Sequence, residues 1–477
     1  MPTLTVDRAS GVPVSRQIYE RIREAILTGQ LGPGLRLPST RQLAAELGVS
    51  RTTTLAAYER LRHEGYLDGL IGSGTTVALL QIHPPVQPSA SNMETRREAG
   101  ELSAQGAGVA GVRWQLRSAG RFPAFPVGQP AFDAFPAQLW GRVVARRARS
   151  VASLLRYQHP AGDPALREAI AAYLGMARGV RCTADRVLVV SGAQAGLSLA
   201  ARMLLDPGDG ALVEDPGYYG ARGAVVAAGG VPVPIPVGSN GFDVSAAPPG
   251  ARLAFVTPSH QFPLGVTMSL PRRLALLRWA ATVGGYVVED DYDSEYRYAG
   301  DPLPSLQGLD TAGRVVYVGS FSKVLFPALR IGYLVVPDGL VDAFAAGHRF
   351  AAGHAPALEQ AALADFIAAG HFARHIRRMR ALYAERGAVL AGALRRELDG
   401  LVSVSDAEAG LHLVGWLPDE VDDAWAAARA AQNGVDTQAL SAHAMQPYGR
   451  NGLLLGYAAT PQREIVAGVR RLAAALG

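Results

Sequence analysis

Lys323 is the only lysine among the 46 Lys and Arg residues of this 477-residue chain. Guanidinium stays protonated and forms no imine, whereas a primary amine can lose its proton and attack a carbonyl. A lone lysine in Gly319-Ser320-Phe321-Ser322-Lys323 therefore points to Schiff-base chemistry, with Lys323 as the candidate catalytic residue. The partners of such chemistry stand elsewhere in the sequence. A pyridine ring used as an electron sink needs a carboxylate at its nitrogen. Asp290 ends an apolar run and is the best candidate, with its neighbours Glu289 and Asp291 as alternatives. Tyr292, two residues on, could hydrogen-bond the phenolic oxygen of the ring. A phosphate needs amides at a helix start. Ala193 and Gln194 supply them after Ser191-Gly192, and Ser320, Ser322 and Arg330 add hydroxyls and charge. Tyr218, in Glu214-Asp215-Pro216-Gly217-Tyr218, can stack on the ring. Jointly these residues are what a pyridoxal 5'-phosphate site requires. No metal site is expected.

These groups sit beside short apolar runs at 186–191, 211–214, 253–257, 285–290 and 314–318, with longer amphipathic stretches between them. That alternation predicts an α/β layer fold with a mostly parallel sheet over residues 120–477. Residues 78–119 are punctuated by Pro, Ser and Gly and read as a linker, flexible or partly extended.

Residues 1–77 have another pattern. Ile18, Ile22 and Ile26 mark an amphipathic helix. Ser39 and Gln42 form a capping box, with Leu43 and Leu47 on the apolar face and Gly48 as the stop. Ser50 caps the next helix, whose Leu55, Tyr58 and Leu61 are expected to face inward. Tyr66-Leu67 and Thr75-Thr76-Val77 can pair around Gly72-Ser73-Gly74, which makes a winged helix-turn-helix. The second helix of such a motif enters the major groove by its N-terminus. Ser50, Arg51, Thr52 and Thr53 lie there and can meet phosphate or base edges, as can Arg41 on the preceding helix. Gly72 and Ser73 would let the wing approach the minor groove. The expected partner is a double-stranded DNA operator.

The totals are compatible with this. Net charge is +5 and the pI near 9.4, which permits a polyanion partner. One cysteine, Cys182, fits a reducing cytoplasm. Residues 1–10 have no apolar core of the signal-peptide kind, and the most apolar stretch, 187–205, is broken by glycines and Arg202. No membrane contact is expected.

Residues 12–77 resemble the winged-helix domain of GntR-type regulators through Leu37-Pro38-Ser39, Arg41, Leu43-Ala44, Leu47-Gly48-Val49-Ser50-Arg51-Thr52-Thr53 and Gly72-Ser73-Gly74-Thr75. Many relatives carry a further Arg where this chain has Leu55. Residues 120–477 resemble fold-type I aminotransferases. With Thr257-Pro258-Ser259-His260-Gln261-Phe262-Pro263-Leu264-Gly265, Glu-Asp-Asp-Tyr and Ser-Phe-Ser-Lys, the whole is similar to MocR-type regulators. The resemblance implies a homodimer, domain-swapped head to tail, in which Tyr157 reaches the partner's phosphate. His260 and Gln261 fall near the usual polar contact to the ring oxygen, in a register that differs by two.

Two classes of function follow. One is a transcription regulator that senses pyridoxal phosphate itself, as in PdxR-like control of vitamin B6 synthesis, or an amino-acid or amine effector through an external aldimine. The other is an aminotransferase with an accessory DNA-binding domain. Transaminases clamp the substrate carboxylate with an Arg near the C-terminus, and here that position is Leu453. Arg450 is a candidate substitute. In the GABA-sensing relatives an Arg follows the stacking tyrosine; Gly220 stands near that position here, and Arg222 is displaced by two. An incomplete clamp beside a complete cofactor set favours a sensor over an enzyme, with at most weak transaminase activity.

Overall fold

The computed structural model describes residues 5–70, 74–79, 102–112, 124–149, 152, 154–300 and 303–477. The chain divides into two units, residues 1–100 and 101–477.

In the first unit, helix α1 (Val14–Leu27) buries Ile18, Tyr19, Ile22, Ala25 and Ile26. Strand β1 (Arg36–Leu37), helices α2 (Thr40–Glu46) and α3 (Arg51–His63), and strands β2 (Leu67–Leu70) and β3 (Gly74–Val77) follow. The strands form an antiparallel sheet in the order β1-β3-β2. Leu70 at the end of β2 pairs with Gly74 at the start of β3. Gly72 and Ser73 lie outside the described residues. Two expectations need correction. Leu55 is 39% exposed; the inward face of α3 is Thr54, Ala57, Tyr58 and Leu61, and Leu55 is turned about 100° from Thr54 by the helical period. The capping box is half formed. Ser39 Oγ accepts from Gln42 N at 3.2 Å, but the Gln42 amide bonds Glu46 at 3.0 Å instead of returning to Ser39.

The second unit begins inside the stretch read as a linker. Helix α4 (Ala104–Gly111) is capped by Ser103 and packs on α8, with Gln105 donating to the Ala227 carbonyl at 2.6 Å. Close approach depends on Gly108, where a Cβ would lie 3.2 Å from Val226. Then come α5 (Ala137–Ala148), α6 (Pro164–Arg178), β4 (Val187–Val190), α7 (Ala193–Leu204), β5 (Gly210–Asp215), α8 (Tyr219–Ala227), β6 (Val231–Gly238), β7 (Gly241–Phe242), β8 (Ala251–Val256), α9 (Leu270–Val283), β9 (Tyr286–Asp291), α10 (Leu306–Leu309), β10 (Val315–Ser320) and β11 (Gly332–Val335). The eight strands run in the order β4-β11-β10-β9-β8-β5-β6-β7. The central pairings from β10 through β9, β8 and β5 to β6 are all parallel, while β11 runs against both its neighbours. Apolar clusters cover the sheet, one around Leu197, Val213 and Val318, another around Leu212, Val256 and Leu276, as a parallel sheet with both faces covered requires.

The chain ends in α11 (Val341–Ala352), α12 (Ala357–Ala368), α13 (His371–Glu397), β12 (His412–Trp416), α14 (Asp423–Gln432), β13 (Gln438–Ala439), β14 (Gly452–Gly456) and α15 (Gln462–Leu476). The last three strands form a small sheet, β12-β14-β13, with its own core under α13, α14 and α15. Among the described residues no helix is long and apolar enough to cross a membrane.

Candidate functional site

Strands β5, β8, β9 and β10 all end on the same side of the parallel sheet, where ligands of open α/β sheets bind. The three consecutive acids at the end of β9 have separate fates. Glu289 accepts from the amides of Leu306 and Gln307, each at 2.8 Å, and so caps α10. Asp291 is held by Arg178 at 2.8 Å, the Tyr317 hydroxyl at 2.5 Å and Ser294 at 2.9 Å. Asp290 alone keeps a buried carboxylate oxygen, Oδ1, without a hydrogen-bond partner among the described residues. Burial, then the charges of Asp291 and Glu214, push its carboxyl up to about 7 against the pull of Lys323. A buried acceptor without a donor is costly. A protonated ring nitrogen is the kind of donor that would relieve it.

Lys323 follows β10, and its Nζ donates to the Gly128 carbonyl at 2.7 Å. A Cβ on Gly128 would lie 2.9 Å from Nζ, so the glycine leaves the amine its room. Ser320 is buried and its Oγ accepts from Ser322 N at 3.1 Å. Arg330 adopts a positive φ of 52°. Its guanidinium lies 3.5 Å from where a Cβ of Gly192 would be, beside the first amides of α7. Gly332 permits the same approach from β11, since a Cβ there would fall 2.8 Å from Ala193 N. The amide cluster of Ala193 and Gln194 thus meets a cation, an arrangement suited to a phosphate.

Tyr218 ends the β5–α8 loop and packs edge-on to Phe262 at 6.0 Å. It lines a small cavity with Asp290, Glu214 and Thr257. Tyr292, read from the sequence as able to bond the ring oxygen, has a further contact. Its hydroxyl lies 3.0 Å from His260 Nδ1, which is also 3.0 Å from Asp293. His260 therefore orients Tyr292. Gln261 is fully engaged, donating to the carbonyls of Pro216 and Phe262 and to Glu214.

Three residues of this site went unassigned in the sequence. Glu214 accepts from Thr257 N at 3.1 Å and Thr257 Oγ1 at 2.5 Å, and burial pushes its carboxyl up to about 7. Asp293 fixes His260. Gly410 admits the His260 ring, for a Cβ there would stand 2.0 Å from it. Only Glu214 carried a signal, its place beside Asp215-Pro216 after an apolar run.

Neither candidate effector arginine lines the cavity that Asp290 shares with Tyr218. Arg450 is exposed and stacks 4.0 Å over the Trp416 ring. Arg222 lines a different cleft of about 490 Å³ with Gly108, Val112 and Met445. An arginine at Gly220 would not fit. A Cβ alone would come within 2.3 Å of the Tyr218 ring and 2.2 Å of the Gln194 side chain. Strand alternation in β14 sends Leu453 into the core of the small sheet and Leu454 toward Val127, next to Gly128. Either register leaves leucine where a clamp would need charge. Tyr157 is 99% exposed.

In the first unit, Ser50 caps α3 by accepting from Thr53 N at 3.1 Å, and its Oγ also lies 2.8 and 2.7 Å from the hydroxyls of Thr52 and Thr53. Arg41, Ser50, Arg51 and Thr52 are exposed and Thr53 is half-buried. The Tyr58 hydroxyl donates to the Pro38 carbonyl at 3.0 Å and locks α3 to the start of α2.

A winged helix followed by an aminotransferase-type α/β unit defines a DNA-binding regulator built on an enzyme scaffold. Residues 14–77 match the family of bacterial regulatory proteins, gntR family, and residues 125–470 match aminotransferase class I and II. The chain is 44% identical over 99% of its length to the probable rhizopine catabolism regulatory protein MocR of Rhizobium meliloti, covering 95% of that protein. It is 32% identical to the HTH-type pyridoxine biosynthesis transcriptional regulator PdxR of Corynebacterium glutamicum, over 93% of this chain and 92% of that one. The α-aminoadipate aminotransferase LysN of Thermus thermophilus, solved with N-(5'-phosphopyridoxyl)-L-leucine, superposes with a TM-score of 0.71 at 30% identity, covering 78% of this chain and 96% of that one. The chain belongs to the MocR-type transcription regulators, a gntR-type winged helix joined to a class I and II aminotransferase domain. The family implies pyridoxal phosphate, and the residues fit it. The unpartnered Asp290 oxygen, the space around Lys323 and the cation beside the α7 amides match its ring nitrogen, aldehyde and phosphate.

Proposed function

We propose that the second unit holds pyridoxal phosphate through Lys323 and reports its occupancy to the DNA-binding unit, with the cofactor itself as the signal. The observation that carries this is the pairing of a well-formed cofactor cradle with leucines at the clamp position, Leu453 and its neighbour Leu454. When bound, the group supplies an aldehyde for an amine and an electron-poor ring. Asp290 holds the ring-nitrogen proton. Ala193, Gln194, Ser320, Ser322 and Arg330 bind the phosphate, Tyr218 stacks on the ring, and Tyr292, set by His260, bonds its oxygen. Arg41 and Ser50 through Thr53, with Gly72 and Ser73 of the wing, meet the operator. The active species is a head-to-tail homodimer in which the exposed Tyr157 reaches the partner's phosphate site.

A second reading, in which an amino compound is the effector, draws on the 44% identical regulator named for rhizopine catabolism. Arg450 or Arg222 would then hold its acid group. Binding of DNA from upstream of the protein's own gene separates the two. The cofactor alone changes affinity under the first reading, and an added amine is required under the second. Turnover of an amino acid without DNA binding would refute both and leave an aminotransferase.

A further inference from the structure

The pI near 9.4 follows from arginine-rich composition, and over the whole chain 46 basic residues nearly balance 41 acidic ones. That balance fails along α5 and the start of α13. Residues 137–149 of α5 and the turn after it, with residues 369–380 at the start of α13, contain eight arginines and no Asp or Glu. Arg142, Arg146 and Arg149 are spaced by four and three, so they share one face of α5. All three are exposed. They line a groove of about 430 Å³ with the half-buried Leu139 and the buried Val143 as its apolar floor, and with Ala369 and His371 also on its wall.

Helix stability does not explain this row. Like charges at these spacings weaken a helix slightly. The dipole at the α5 C-terminus rewards a cation only in the last turn, which leaves Arg142 out. The carboxylate that α12 brings here is already shared, since Asp365 binds Arg146 at 2.9 Å and also pairs with Arg147. Arg142 and Arg149 have no ion-pair partner among the described residues. Arg374, one turn into α13, is exposed and its guanidinium contacts His371. The surface therefore offers guanidinium forks over an apolar floor that supports their stems.

We infer that this α5–α13 face is a second phosphate-binding surface, which takes the backbone of duplex DNA beside the site read by the winged helix. The inference rests on the DNA-binding reading above. A regulator that already holds DNA by one unit places the other near phosphates at high effective concentration. A row of arginines without base-reading neighbours suits backbone contact, which positions without specifying sequence.

The test is the salt dependence of binding by the full-length chain to the duplex upstream of its own gene. Each phosphate contact contributes about 0.9 to the slope of log K against log salt, so Arg142→Gln/Arg149→Gln/Arg374→Gln should flatten the slope by about 2.7. The visible absorption of the bound cofactor and the elution volume on sizing should stay those of the wild type. A slope equal to the wild type's overturns the proposal. So does an equal flattening by Arg252→Gln/Arg278→Gln, both exposed on other elements, because the effect would then be net charge. A shift to a smaller species on sizing also overturns it, by showing that the face joins two copies. A wild-type chain that binds no duplex at any salt refutes the DNA-binding reading itself, and this surface with it.

Discussion

Replacing Asp290 by Asn should move two properties in opposite directions. In the cofactor-free protein the Asp290 carboxyl is raised from its ordinary 3.8 to about 7. The folded state thus holds a proton that the unfolded state has released, and stability falls as pH rises from about 4 through 7. A shift of roughly three units corresponds to about 4 kcal/mol at pH 8, and none of it is felt below about pH 4. Asn has no such charge but must seat its amide, which costs roughly 1–2 kcal/mol. Asp290→Asn without cofactor should therefore be about 2–3 kcal/mol more stable than the wild type at pH 8, with that gain absent near pH 4. Binding should move the other way. Removing one partner of a buried charged pair costs about 3–5 kcal/mol, so cofactor affinity should fall by roughly two to nearly four orders of magnitude. Urea unfolding of the cofactor-free proteins at both pH values, with a spectroscopic cofactor titration, measures both. A variant no more stable at pH 8 that binds the cofactor as tightly as the wild type would refute the assignment of Asp290 to the ring nitrogen.

Lys323→Ala should abolish the visible absorption of lysine-bound cofactor yet leave basal DNA binding; loss of all DNA binding would show that sensor and reader are not separable. Arg51→Ala should remove DNA binding without altering the cofactor spectrum, read by mobility shift and absorbance on one preparation. Ser50→Ala removes the α3 cap and should cost about 1 kcal/mol in the first unit, seen by thermal melting. Gly410→Ala forces the His260 ring away and should weaken cofactor binding at least tenfold while sparing the winged helix, as a cofactor titration beside a DNA titration would show.

The α/β layer and the winged helix were legible because both rest on local periodicity and punctuation. The apolar runs ending at Asp290 and before Lys323 appear as β9 and β10, shifted by a residue or so at their ends. Among the three acids sequence offered only a preference; hydrogen bonds from α10 and the Arg178 contact set Asp290 apart, and those depend on tertiary structure. Leu55 was misplaced because the apolar stripe of α3 was traced from large residues, whereas small Thr54 and Ala57 fill the inward face. Helix α4 was hidden by its glycines, which read as linker but permit close packing on α8. The roles of Gly220 and Gly410 lie in what a side chain would strike, and sequence does not display that.

Coupling between the two units is the central claim, and thermodynamic linkage makes it measurable from either side. Cofactor affinity should be measured by absorbance titration with and without saturating duplex from upstream of the gene, and duplex affinity with and without cofactor. The account predicts that both affinities shift, by the same factor and in the same sense. Unchanged affinities in both experiments, with cofactor and DNA each bound, would contradict it and reduce the chain to two functions on one polypeptide.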